Sequence, residues 1–247
     1  MTDSVLTIAA ITATFFLAGI VKGVTGMGLP TVAMGVLGAL MSPVAAAALL
    51  IAPSFVTNVW QLVAGQHTLA LIRRLWPMMV TIIFGTVAGS SLLTSSNHLA
   101  TAFLGAALVI YATYTLLARQ LSVPVAIERW LSPIIGLITG VITGGAGVFV
   151  IPAVPYLQAL RMEKDELIQA LGLSFTISTV ALAIGLAWRG AFQVDNLAIS
   201  ALAIVPALAG MWAGQAVRKI ISPPLFRRGF LICLLLLGTE LFLRSVL

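Results

Sequence analysis

The sequence predicts an all-α polytopic membrane protein made of two four-segment repeats, each opening with a glycine-broken hairpin or discontinuous helix. Three observations carry this. The 247-residue chain is 60% hydrophobic and 8% charged, with a mean hydropathy of +1.13, whereas a soluble domain carries about 25% charged residues. The apolar residues form eight segments long enough to span, since a helix crosses the hydrocarbon in roughly 20 residues. A glycine-rich interruption occurs in the first and again in the fifth of those segments.

The first segment, 5–40, contains Gly19-Ile-Val-Lys22-Gly23-Val-Thr25-Gly26-Met-Gly28-Leu-Pro30. Glycine and proline weaken a helix, and in a membrane the freed backbone groups must be satisfied by protein or by a water-filled cavity. The second segment, 43–64, carries the polar run Ser54, Thr57, Asn58, Trp60 and Gln61. The third, 75–93, follows the loop pair Arg73-Arg74 and holds Gly85-Thr-Val-Ala-Gly89; the fourth is 98–118. The fifth, 131–160, repeats the interruption as Gly136-Leu-Ile-Thr139-Gly140-Val-Ile-Thr143-Gly144-Gly145-Ala-Gly147, with Pro152 beyond it. The sixth, 167–187, carries Ser174, Thr176, Ser178 and Thr179; the seventh, 196–217, holds Gly210-Met-Trp-Ala-Gly214; the eighth is 229–247. The matches between halves recur at roughly 120 residues, with the drift that small loop insertions produce. They divide the chain into a first repeat, 1–120, and a second, 121–247.

Loop charge sets the topology. The loop near 65–75 is basic and the next, 94–97, is uncharged. The equivalent loops of the second half reverse this: 188–195 carries one Arg and one Asp, and 218–228 carries four basic residues. Such a reversal is expected of halves inserted upside down. If segments 5–40 and 131–160 each enter and return, both chain ends lie outside, with Arg73-Arg74, Arg119, Arg161-Lys164 and Arg218–Arg228 inside. The tips of the two hairpins, near Gly23–Gly28 and Gly140–Gly147, would then meet at mid-membrane. The alternative is one tilted, broken span in each half, with parallel repeats. The net charge of +6 is loop charge of this kind and not a nucleic-acid footprint. The N-terminus lacks a basic n-region and reads as a retained membrane segment. One cysteine, Cys233, allows no intrachain disulfide.

Several residues are candidates for a binding site. Lys22 lies inside an apolar segment, where an insertion cost of about 2.5–3.5 kcal/mol favours a cavity or partner; it either holds an anion or snorkels to an interface. Thr25, Gly26, Gly28 and Pro30, and Thr143, Gly144, Gly145 and Gly147, surround two half-helix starts. Helix starts offer free N–H groups and positive dipole ends to an anion; alternatively the glycines only pack helices. Asn58 and Gln61 are helix glue or ligands, and Ser174 and Ser178 match Ser54 and Asn58 in the other half. Glu240 and Arg244 stand four residues apart, the spacing of a helical ion pair; proton coupling is the other role for Glu240. No nucleophile triad, metal cluster, P-loop or dinucleotide fingerprint appears, so the expectation is a non-enzyme without cofactor or metal.

The runs Gly19 to Pro30 and Gly136 to Pro152, in a four-plus-four arrangement, resemble the TauE/SafE family of membrane proteins, described as sulfite exporters. The resemblance spans nearly the whole chain. It implies a bacterial or archaeal plasma-membrane carrier for a small anion such as sulfite or an organosulfonate, and it fixes neither the substrate nor the binding side chains. The leading reading is therefore a secondary transporter, an exporter of a small anion, working by alternating access around the two breaks. Its partners are the lipid bilayer, the anion and a coupling ion, proton or sodium. An anion channel and a membrane assembly or sensor component are the alternatives.

Overall fold

The computed structural model describes residues 2–117, 122–191 and 194–246; Arg119, expected on the inner side, lies outside them. The helices are α1 (Thr2–Thr25), α2 (Leu29–Leu40), α3 (Pro43–Val63), α4 (Thr68–Leu93), α5 (Asn97–Leu117), α6 (Val125–Ala146), α7 (Ala153–Ala159), α8 (Lys164–Trp188), α9 (Val194–Leu202), α10 (Ile204–Val217) and α11 (Pro223–Val246). No strand occurs among the described residues. Eight stretches of helix are long and apolar enough to cross a membrane. The chain is a multi-pass membrane protein.

Glycine contacts fix the helix directions. A Cβ built on Gly19 would press on Met211 N at 2.9 Å, and one on Gly23 on Gln215 N at 2.9 Å, so α1 and α10 run parallel. Likewise a Cβ on Gly136 would meet Met78, one on Gly140 Thr86, and one on Gly144 Ser90 N at 2.6 Å, so α4 and α6 are also parallel. Small residues permit this close backbone approach. The α5–α11 pair is antiparallel, with Gly105 against Phe242 and Gly238 against Val109. So is α3–α8, with Gly65 against Gln169 and Gly172 against Leu62. Lys22 bonds Thr57 and Asn58, and Gln61 bonds the Gly26 carbonyl, so α1 and α3 end at the same level.

These directions gather the starts of α4, α8 and α11 and the ends of α1, α3, α5 and α10 at one end of the bundle. Arg73, Arg74, Lys164, Arg218, Lys219, Arg227 and Arg228 therefore collect there. The exposed Trp60, Trp76, Trp130 and Trp212 lie in the turns nearest this basic end, and exposed Trp188 marks the other. Exposed tryptophans at two levels are the belts expected at membrane interfaces.

Three sequence expectations change. Arg73 and Arg74 are not loop residues but belong to the first turns of α4. There the Arg74 guanidinium donates to Glu128 at 2.6 and 2.9 Å and lies 3.6 Å from Glu166; buried on one side and paired, it can extend an otherwise apolar helix. The segment expected at 196–217 is two helices with a turn at Ala203. Glu240 and Arg244 form no ion pair among the described residues; both are exposed on α11. The spacing permits the pair, but solvated charges gain little from it.

One proline shows how the halves interlock. Pro53, inside α3, cannot donate to the carbonyl of Leu49,. That carbonyl accepts instead from the Ser200 hydroxyl of α9 at 2.8 Å, and Ser200 Oγ in turn accepts from Ala52 N at 3.2 Å. A backbone group freed by the first half is satisfied by the second, as a low-dielectric interior requires.

Candidate functional site

The site grows from the first glycine break. α1 ends where Gly26 N bonds the Lys22 carbonyl at 2.7 Å. Gly26 (φ 79°) and Gly28 (φ 97°) take left-handed backbone that other residues adopt only at a cost,. Thr25 holds the turn: its hydroxyl bonds the carbonyls of Val21 and Met27, each at 2.8 Å, and accepts from Met27 N. Gly28 caps α2, and Pro30 lies in its first turn, where a missing N–H is tolerated,. Thr25 and Pro30 thus shape the break, while Gly26 faces open space.

Lys22, one turn before the break, is 2% exposed. It neither sits at mid-span nor snorkels. Its ammonium turns into the protein and donates to Thr57 Oγ1 at 3.1 Å and to Asn58 Oδ1. Thr57 is itself held by the carbonyls of Pro53 and Ser54. Asn58 passes its amide on to Thr179 Oγ1 of α8 at 3.4 Å. Every one of these partners is uncharged. No carboxylate lies within ion-pair distance of Lys22 among the described residues.

Around this pair the α3–α8 seam is polar and under-bonded. Gln61 Nε2 ties Gly26 O at 3.0 Å to Ile168 O at 2.9 Å, leaving its Oε1 without a partner. The hydroxyls of Ser54, Ser174 and Ser178 are also buried without partners. Ser54 and Asn58 of α3 and Ser174 and Ser178 of α8 lie further along this antiparallel pair, beyond Leu62 and Gly172 from the basic end. Buried polar atoms are nearly always bonded, so a run of unbonded ones marks a place that water or ligand fills.

A cavity of about 200 Å³ opens beside Lys22, lined also by Gly26, Trp60, Gln61, Gln215 and Arg218. It offers the Lys22 ammonium, the Arg218 guanidinium and the Gln215 amide, donors that suit an oxyanion,; the Gln61 N–H groups are already taken by Gly26 and Ile168. Gln215 and Arg218 escaped the sequence reading, which took Arg218 as a loop charge. Their one sequence signal is spacing: they follow Gly214, the residue that packs α10 onto α1.

The second break lies elsewhere. Gly144 packs on the backbone of Thr86 and Ser90, Gly145 faces the Phe103 ring and Gly147 (φ 66°) faces Met34, each too closely to admit a Cβ. The Thr143 hydroxyl reaches only the Val148 carbonyl, at 3.4 Å. The first break adjoins Ile168, whereas the second adjoins Ser90, itself against Gly185. The two tips are not in contact: Gly28 faces Val21 and Phe230, and Gly147 faces Met34, six residues beyond Gly28 and so about 9 Å further along α2,. The second return is also not a matching half-helix. It is non-helical over 148–150 and then forms α7, of 7 residues. Its nearest approach to the seam is apolar, Phe149 against Phe175 with ring centroids 6.4 Å apart.

The family described as Sulfite exporter TauE/SafE matches over residues 11–241. No curated protein and no solved structure matches the chain. The chain belongs to the TauE/SafE family of membrane exporters.

Proposed function

We propose that this TauE/SafE member is a secondary transporter that exports a small oxyanion, of the sulfite or organosulfonate class, and holds it in the cavity beside Lys22. The observation that carries the reading is a buried ammonium bonded only to neutral Thr57 and Asn58. An uncompensated buried charge is costly. An anion entering the cavity supplies the missing counter-charge, with Arg218 and Gln215 as further donors. Small volume and two cationic side chains favour a compact anion.

The two halves, 1–120 and 121–247, are proposed as inverted repeats that rock against each other. The antiparallel α3–α8 and α5–α11 pairs support this, because equivalent helices related by an axis in the membrane plane must run oppositely. The cross-packing of α1 on α10 and of α6 on α4 has the same symmetry. The basic end is assigned to the cytoplasm of a bacterial or archaeal plasma membrane by the positive-inside rule. The cavity opens toward that end, which supports loading from inside and hence export. A proton or sodium gradient, or the anion's own gradient, supplies the energy; no cofactor is needed.

The test is flux of sulfite and of organosulfonates in liposomes holding the purified protein. Lys22→Met should weaken the apparent affinity about tenfold or more, equivalent to about 1.4 kcal/mol, while Lys22→Arg retains part of it. Transport by Lys22→Met with unchanged KM and rate would remove Lys22 from the site.

A further inference from the structure

Below the Lys22 cavity, at the basic end, lies a larger one of about 430 Å³. Lys164 from the start of α8, Arg218 after α10, and Arg227 and Arg228 from α11 converge on it, together with Gln158. No carboxylate lines it among the described residues. Glu163 and Asp165 flank Lys164 in the chain but do not reach the cavity wall, and Glu166 turns to Arg74. The positive-inside rule accounts for the sign of these residues. It does not account for their convergence on one cavity from three elements, where like charges repel unless an anion lies between them.

The two cavities touch. Gly26, Ile168 and Arg218 line both. A side chain at Gly26 would project into space free of any atom within 4 Å, so the first break leaves an opening at their junction. Arg218 can face either cavity with a planar, multidentate donor set.

We propose that the basic cavity is a second oxyanion site, an antechamber that captures the anion and passes it by way of Arg218 and Gly26 to Lys22. This deepens the reading of the Lys22 cavity as a transport site and rests on it for the destination of the anion. The same oxyanion chemistry is carried by the phosphate of an acidic lipid headgroup, so the test separates the two sources.

The experiment measures equilibrium binding of radiolabelled sulfite, with sulfate as a second probe, to the full chain in nanodiscs. One disc type is pure phosphatidylcholine and the other contains phosphatidylglycerol. In phosphatidylcholine the wild type should bind two anions per chain, and Arg227→Gln/Arg228→Gln should bind one. Arg227→Lys/Arg228→Lys, which keeps the charge, should restore the second; this shows that any loss is not misfolding. Displacement of one anion by phosphatidylglycerol supports the site with a lipid occupant; no displacement supports a free anion. In stopped-flow binding, the association rate of the double Gln variant should fall about tenfold at low salt and converge on wild type at high salt.

The two readings fail separately. Wild-type stoichiometry and rate in the double Gln variant overturn the antechamber. Wild-type stoichiometry in Lys22→Met overturns the Lys22 site. Failure of the wild type to bind either probe overturns both.

Discussion

At the scale of single residues, Lys22 is defined by what it lacks. Its oxygen partners, Thr57 and Asn58, are neutral, so the charge stays available to a ligand. Asn58→Asp would end this. The new carboxylate sits where Asn58 Oδ1 already accepts from the ammonium, and opposite charges at this range in a buried site interact strongly. Anion affinity should therefore drop at least about tenfold, while thermal stability holds or rises; isothermal titration alongside a melting curve checks both. An unchanged affinity would falsify the view that the ligand is the counter-ion of Lys22. Lys22, Asn58 and Gln61 were legible in the sequence because amide and ammonium groups are conspicuous among apolar neighbours. Arg218 and Gln215 were not, since their approach to Lys22 depends on α10 lying parallel to α1. No local pattern encodes that packing.

Among the elements, the two glycine breaks divide their labour despite similar sequences. The first leaves Gly26 facing a cavity; the second seals Gly144 and Gly145 against a neighbouring helix and ring. Substitution should separate them. Gly144→Leu must push α6 away from the backbone of Thr86 and Ser90 and should cost about 1–3 kcal/mol, read as a lower melting temperature in detergent. Gly26→Ala meets no atom and costs only its left-handed backbone, about 1–2 kcal/mol, but it narrows the junction of the two cavities and should slow flux out of proportion to its stability loss. The sequence revealed both breaks and the apolar spans around them. It did not reveal the depth of either tip, because a turn residue looks alike at mid-membrane and at an interface.

For the whole molecule, the proposed inversion has a direct reading. In a Cys233→Ser background, single cysteines at Gln66 and Arg161 should label from the same side, and one at Thr2 from the opposite side; a Gln66 label on the Thr2 side sinks the inverted arrangement in favour of parallel broken spans. Loop charges point to the same proposed topology, since they count residues over whole loops and tolerate small errors in helix ends. They could not anticipate the cross-packing of α1 on α10 and of α6 on α4, which joins residues from opposite halves. That cross-packing has a consequence for biogenesis. α1 is the first helix made, yet the partner for its glycine face emerges roughly 180 residues later. At about 5–20 residues per second, it waits on the order of 10–40 s in the bilayer. Until α3 arrives, Lys22 also lacks its two oxygen acceptors. The nascent first half is therefore an incomplete object that a membrane insertase must shelter, and the ribosome's last third, rather than its first, completes the N-terminal fold.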